Sequence, residues 1–240
     1  MAAAHVPSRP RLDVPPHRSL TNRVLARLSD LEQRRVVASV TPVHLAPGTR
    51  LYDPGDIVRH AYFPLRGVIS LLGMTPDGDS LQVAAVDSTT FIGMPIVLEA
   101  DRTPHHAVAY VPCEAIRLDT ATLRDACRRD ATFHRAILQC AHTHVVHIGE
   151  AAVCHRFHTV TQRLSRTLLT FVASLRDSTI PLTQDVLASI LGADRSAISR
   201  AAMQLQDCGA TRQRHGAIQV LSRSSLQAHA CECGPRTDAH

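Results

Sequence analysis

Residues 181–221, PLTQDVLASILGADRSAISRAAMQLQDCGATRQRHGAIQVL, set the architecture of the C-terminal part of the chain. Thr183 follows a proline by two positions, which is typical of a helix start. Apolar residues then recur on one face at the 3.6-residue spacing of a helix, from Val186 to Leu191. Gly192 can supply a bend after that face ends, and Asp194 is placed to cap a second helix. The pattern predicts two helices joined by a tight turn.

The second helix has an apolar inner face, Ile198, Ala202 and Leu205, and a polar outer face. After it, 211–214 and 217–221 flank His215-Gly216, which predicts a β-hairpin. Two helices, a glycine turn and a following hairpin are typical of a winged helix-turn-helix that reads DNA.

Composition is compatible with a DNA partner. The 240 residues provide for two modest domains, and the formal charge of +5 with a pI of 9.0 favours a polyanion over an acidic surface. No run approaches the ~18 apolar residues that span a bilayer. Residues 1–20 are rich in proline and arginine without an apolar core, so we expect a disordered arm rather than a secretory signal. We therefore expect a cytoplasmic protein without a membrane partner.

Short β-type runs separated by proline and glycine fill residues 41–119, after two short helices between Asn22 and Val40 that break near Ser29-Asp30. Pro76-Asp77-Gly78 is a strong turn signal among them. Many short strands at this spacing predict an antiparallel roll or barrel. We assign residues 21–119 to a β-roll effector domain.

Residues 120–156 are predicted to be a helical linker that contains one long helix, roughly Thr132–His155, and 157–240 the DNA-binding domain. Two apolar stripes run along the long helix. The first, the seam stripe, has the spacing of a coiled-coil seam and consists of Leu138, Ala141, Val145, Ile148 and Ala152. The second stripe lies beside it and consists of Phe133, Ile137, Cys140, His144, His147 and Ala151. Two stripes indicate two neighbours, the chain's own roll and the same helix of a second copy. The alternative is a single wide core face.

Seven scattered cysteines favour a reducing compartment without a disulfide framework. His144 and His147 are three positions apart, and Cys154 and His158 four. Across a two-fold axis the histidine pair could provide four metal ligands, although most such pairs bind nothing. Cys231-Glu232-Cys233 alone has too few thiolates for a closed site, so we expect neither a metal nor another cofactor.

Five stretches of the chain can be compared with known families: LAPGTRLYDPGD (45–56), YFPLRGVISLL (62–72), CHRFHTVTQRLSRTLL (154–169), LTQDVLASILGADRSAISRAAMQLQDCGA (182–210) and LQAHACEC (226–233). Through them the chain resembles the Crp/Fnr superfamily of bacterial transcription regulators from about residue 21 to residue 233. The resemblance implies an α+β fold, with a jelly-roll-like antiparallel β-roll, a long dimerisation helix and a C-terminal winged helix-turn-helix. It also implies a homodimer on palindromic double-stranded DNA, with RNA polymerase as a further partner.

The resemblance places the reading helix at Asp194–Gln206. Arg200 is the strongest candidate, because an arginine can bond guanine O6 and N7 together. Ser196 stands where many members carry glutamate, which would select cytosine, so the usual half-site is in doubt. The complete set of expected DNA contacts is Thr183, Arg195, Ser196, Ser199, Arg200, Arg212 and Arg214, with Thr183 and the two wing arginines on phosphates. The alternative is a solvated charged face.

The resemblance fails at the cyclic-nucleotide cassette. Members that bind cyclic AMP have a Gly-Glu pair and then an Arg followed by Ser or Thr, since the guanidinium pairs the phosphate and the glutamate holds the ribose. Here 91–95 are Phe-Ile-Gly-Met-Pro and 102–104 are Arg-Thr-Pro. We expect no tight cyclic-AMP binding, while another ligand in the roll stays open. No cysteine precedes Cys113, so we do not expect the iron–sulfur cluster of the oxygen-sensing branch.

Two other function classes compete with a DNA-binding regulator. One is a ligand sensor that acts mainly through protein contacts with a vestigial DNA domain. The other is an enzyme, for which no catalytic triad, glycine-rich phosphate loop or spaced metal motif provides support.

Overall fold

The computed structural model describes residues 22–233, so the arm expected at residues 1–20 lies outside the described residues. The fold is α+β: an antiparallel β-roll, a long helix and a C-terminal winged helix-turn-helix follow one another along the chain. This confirms the predicted fold class.

Seven strands build the roll. They are β1 (Thr41–Leu45), β2 (Thr49–Tyr52), β3 (His60–Arg66), β4 (Ile69–Met74), β5 (Ser80–Val86), β6 (His106–Ala109) and β7 (Cys113–Asp119). They form two antiparallel sheets with strand orders β1-β7-β3 and β2-β6-β4-β5. In the core, the ring of Phe63 stacks on Phe91 with 5.1 Å between centroids. Gly78 turns the chain from β4 to β5 at a φ of +95°, a conformation that glycine adopts without a Cβ penalty.

Short helices close the roll: a 3-10 turn (Leu25–Arg27), α1 (Asp30–Val37), α2 (Met94–Val97) and α3 (Thr120–Arg129). The first two confirm the predicted break near Ser29-Asp30. The buried Asn22 amide holds this region to the roll, because it donates to the carbonyls of Pro64 and Thr90 at 2.9 Å each.

The long helix α4 (Ala131–Phe157) has 27 residues. It begins at Asp130, whose carboxylate accepts the N–H groups of Thr132 and Phe133 at 3.0 Å and that of Ser29 at 2.8 Å. Phe133 and Ile137 enter the core of the roll. The helix is therefore fixed to the roll at its N-terminal half.

The C-terminal unit consists of α5 (Val160–Leu175), β8 (Thr179–Ile180), α6 (Gln184–Leu191), α7 (Arg195–Asp207), β9 (Thr211–Arg214), β10 (Ala217–Val220) and α8 (Arg223–Ala228). Its strands form one antiparallel sheet of order β8-β10-β9. Val68 and Val111 of the roll join its core, so the roll and this unit share a packed boundary. Across residues 22–233, no helix has both the length and the apolarity that crossing a membrane requires.

Candidate nucleic-acid interface

The polar face of α7 lies on the surface, as the sequence predicts. Arg195, Ser196 and Arg200 are exposed and Ser199 is half-buried, while Ile198, Ala202 and Leu205 on the opposite face are buried. Within the described residues, the Arg200 guanidinium has no hydrogen bond or ion pair. Its five N–H donors are therefore available to a ligand.

The turn between α6 and α7 has the geometry that glycine permits. Gly192 has φ +52° and ψ +52°, the left-handed conformation that ends α6. Asp194 occupies the N-cap position of α7, but its side chain makes no cap hydrogen bond among residues 22–233. The position was predicted correctly and the bond was not, because a side-chain cap also depends on how the carboxylate is turned.

The start of α6 lies beside the start of α7. The hydroxyl of Thr183 accepts the Val186 N–H at 3.3 Å, so its own proton remains available to an acceptor. Arg195 Nε lies 3.3 Å from Asp185 Oδ1, with both side chains 70% exposed. At that exposure the ion pair contributes little stability, and Arg195 can exchange it for another anion.

The wing is a hairpin, β9 and β10, closed by the two residues His215-Gly216. Arg212 and Arg214 are exposed at alternate positions of β9, so they lie on one face. Gln213 between them accepts from Gln184 Nε2 at 3.1 Å and donates its backbone N–H to Gln206 Oε1 at 3.1 Å. This glutamine network fixes the wing against both helices. The sequence does not predict it, since glutamines in separate elements give no local signal.

The β4–β5 hairpin of the roll contacts the turn of the helix-turn-helix. Ser80 Oγ donates to the Ser189 carbonyl at 3.2 Å. A Cβ on Gly192 would lie 2.9 Å from Leu81 Cδ1, which is too close for an unperturbed contact. The position of α6 and α7 is thus set partly by the effector domain.

A cavity of about 270 Å³ opens between the roll and α4, with a mainly apolar lining. The candidate cassette residues offer little to a cyclic phosphate. The Arg102 guanidinium donates to the Gly55 carbonyl, and the Thr103 hydroxyl donates to the His105 carbonyl at 3.2 Å. Val145 and Ile148 of α4 also line the cavity.

The two stripes of α4 have different surroundings. Phe133 and Ile137 of the second stripe belong to the core of the roll, His144 contacts Thr90 of the roll, and Ala151 is also buried. The seam stripe is partly or largely open, and Val146, Val153 and Phe157 extend the exposed apolar surface beside it. The most exposed of these large apolar side chains are Val145 at 70% and Phe157 at 71%. A single wide core face is therefore wrong as a description of this helix.

The histidine pair on α4 does not face the seam. His144 Nε2 lies 3.2 Å from Thr90 Oγ1 of the same chain. Burial and the neighbouring His147 lower the pKa of His144 to about 4, so it is neutral at pH 7. A four-histidine metal site across the seam has no support in this arrangement.

A roll with an internal cavity, joined by a long helix to a winged helix-turn-helix, defines a two-domain DNA-binding regulator. Family models agree with both parts. The cyclic nucleotide-binding domain matches residues 42–130 and the Crp-like helix-turn-helix domain matches residues 162–229. The chain belongs to the Crp/Fnr superfamily of transcription regulators.

Solved structures share this fold over most of the chain. The c-di-GMP-responsive global regulator CLP from Xanthomonas campestris is 20% identical with a TM-score of 0.65, covering 81% of this chain and 100% of that one. FixK2 from Bradyrhizobium japonicum is 16% identical with a TM-score of 0.67, covering 80% and 98%. A CRP/FNR-family transcriptional regulator from Thermus thermophilus is 19% identical with a TM-score of 0.64, covering 79% and 98%. No curated protein sequence matches the chain.

Proposed function

We propose that this regulator acts in the cytoplasm as a homodimer that binds a palindromic site in double-stranded DNA and there contacts RNA polymerase. The observation that supports DNA reading most directly is the exposed polar face of α7. The opposite, apolar face of this helix is buried, and the wing lies beside it. The positive net charge of the chain is consistent with such a partner.

Base reading is assigned mainly to Arg200, whose guanidinium can bond a guanine edge bidentately. Arg195, once released from Asp185, and the hydroxyls of Ser196 and Ser199 complete the reading face. Thr183, Arg212 and Arg214 would bind phosphates on either side of it, because a helix start and exposed arginines both favour anions.

Dimerisation is supported by the open seam of α4. One reading helix contacts few bases, and two related by a two-fold axis match half-sites about 34 Å apart. The exposed apolar side chains of Val145, Ile148 and Phe157 suit burial against the same helix of a second copy. A symmetric contact of this kind produces a symmetric target site.

The effector is not expected to be cyclic AMP. Among the described residues, no acidic side chain lines the cavity to bind a ribose hydroxyl, and the Arg102 guanidinium is hydrogen-bonded to the Gly55 carbonyl. A largely apolar lining fits a less polar small molecule. Calorimetric titration with cyclic AMP should show no binding at micromolar concentrations, and micromolar affinity would contradict this assignment.

Footprinting of genomic fragments with wild type, Arg200→Ala and Arg34→Ala tests DNA reading. Arg34 is an exposed arginine on α1, so its replacement removes the same charge away from both α7 and the open stripe of α4. We expect Arg200→Ala to lose sequence preference, with a discrimination of ~1–3 kcal/mol per contact, and to retain weak salt-sensitive binding.

Two results would contradict the proposed function. If Arg200→Ala keeps the full sequence preference that wild type and Arg34→Ala show, α7 is not the reading helix. If wild type protects no fragment at low salt, the chain acts through protein contacts instead, and its DNA-binding domain is vestigial.

A further inference from the structure

Four potential metal ligands from the two ends of the DNA-binding unit meet in one place. Cys154 lies in the last turn of α4 and His158 directly follows that helix, while Cys231 and Cys233 follow α8. Their ligand atoms all lie within 4.8 Å of one another. We propose that Cys154, His158, Cys231 and Cys233 form a closed, tetrahedral Zn²⁺ site.

The spacing of the four atoms is that of ligands around one ion. With Zn–S bonds of about 2.3 Å and a Zn–N bond of about 2.0–2.1 Å, tetrahedral geometry places two sulfurs about 3.8 Å apart and a sulfur and a nitrogen about 3.6 Å apart. Cys154 Sγ lies 3.5 Å from Cys231 Sγ, and Cys233 Sγ lies 3.5 Å from His158 Nδ1. Three thiolates and one imidazole in this geometry are a donor set that zinc prefers.

The imidazole of His158 is oriented as a metal ligand normally is. Its Nδ1 points toward Cys233, and its Nε2 lies 3.3 Å from Glu232 Oε1 on the other side. Metal-bound histidines usually donate the second ring N–H to a carboxylate, which fixes the tautomer and the ring orientation. Glu232 is thus a positioning residue that acts through His158.

Among residues 22–233, two arginines beside the cluster lack a negative partner. Arg163 is buried, and no described residue accepts a hydrogen bond from the Nε atoms of Arg163 and Arg166. Neither guanidinium has a carboxylate within 4.0 Å in the described part of the chain, and both lie close enough to Cys154 for their charges to interact. A Zn²⁺ ion with three thiolates carries a net charge of −1, so the proposed centre would provide the missing counter-charge.

All four coordination positions are occupied by protein ligands, which makes the site structural rather than catalytic. It would fasten the chain after α8 to the joint between α4 and α5. That joint connects the long helix to the unit that contains the reading helix. Removing the metal should therefore lower the melting temperature and weaken DNA binding.

The sequence contained both halves of this site. Cys154 with His158 and Cys231 with Cys233 were each identified, but the second pair alone has too few ligands. Only the fold brings the two pairs together, because α5 and α8 pack on one another.

The test uses the untagged full-length protein, purified under reducing conditions without added metal. We expect about one zinc per chain by mass spectrometric metal analysis. Exchange for Co²⁺ should give the visible d–d bands of tetrahedral cobalt together with a thiolate charge-transfer band. Cys233→Ser should weaken Zn²⁺ affinity, measured by competition with a chromogenic chelator, by more than tenfold, and Glu232→Gln should weaken it by about 10-fold. Cys208→Ser is the matched control, because Cys208 is exposed and lies outside the cluster.

Three results would overturn the site. The first is a reduced wild-type protein that binds neither zinc nor cobalt stoichiometrically. The second is a thiol count below seven in denaturant with chelator, which would indicate a disulfide instead. The third is a folded Cys233→Ser protein with unchanged zinc affinity. If Cys233→Ser fails to fold, the cobalt spectrum of the wild type decides alone.

Discussion

Replacing Val145 by glutamate tests whether the open stripe of α4 is the dimer interface. The Val145 side chain is 70% exposed in the single chain. Full burial of such a side chain contributes about 1.5–3 kcal/mol, so covering its exposed part is worth about 1–2 kcal/mol. Two-fold symmetry doubles this to about 2–4 kcal/mol per dimer, which corresponds to roughly 30- to 1,000-fold in the dissociation constant. Unpaired carboxylates brought near the axis would add to the loss.

Sedimentation equilibrium over a concentration series measures that constant directly. Leu31→Glu is the control, because Leu31 is 55% exposed but lies on α1, away from the stripe. We expect Leu31→Glu to dimerise like wild type, and Val145→Glu to dissociate and lose its symmetric footprint. An unchanged dissociation constant for Val145→Glu would show that the two copies associate through another surface.

Two further changes test how the long helix and the turn are held. Asp130→Ala should lower the free energy of unfolding by about 1–2 kcal/mol at pH 7, while Asp130→Asn, which still caps, should lose less. Hydrogen bonds from the N–H groups of Phe133 and Ser29 lower the pKa of Asp130, so its charge stabilises the fold above the unfolded pKa of about 3.9, and this stabilisation is lost as pH falls through the folded pKa. Denaturant titrations should therefore show a weaker pH dependence of stability in Asp130→Asn than in wild type. Gly192→Ala should lower the melting temperature more than Gly209→Ala does. Both glycines have a positive φ, so alanine costs about 1–2 kcal/mol of backbone strain at either position. Only at Gly192 does the added Cβ also meet Leu81, at 2.9 Å from its Cδ1. Equal losses would mean that the roll contact does not restrain the turn.

Local sequence patterns predicted the helix-turn-helix and the wing well. The helix-turn-helix depends on apolar spacing and on Gly192 within about thirty residues of sequence, and both helices and the wing were found where predicted. Strand β2 has little signal of its own in the sequence, because its four residues lie between Pro47-Gly48 and Pro54-Gly55 and its partner β6 is far along the chain. The same holds for the two-residue strand β8, which is defined only by its pairing with β10.

Contacts between distant segments could not be predicted from one sequence. Leu81 lies in the roll and Gly192 in the helix-turn-helix, and nothing in either stretch specifies that they touch. The same holds for Cys154 and Cys231, whose sulfurs lie 3.5 Å apart from opposite ends of the DNA-binding unit. Periodicity identifies which face of an element is buried, while its partner follows only from the assembled fold.

The surface of α4 connects the two binding events proposed for this chain. Val145 and Ile148 belong to the open stripe and also line the cavity of the roll. A ligand in the cavity and a second copy on the stripe would therefore share side chains. If a ligand changes the dimer dissociation constant by some factor, dimerisation must change the affinity for that ligand by the same factor. An effector can thus be found by screening small molecules for a shift in the monomer–dimer equilibrium, without knowledge of the DNA site, and Val145→Glu should remove the shift even for a ligand that it still binds.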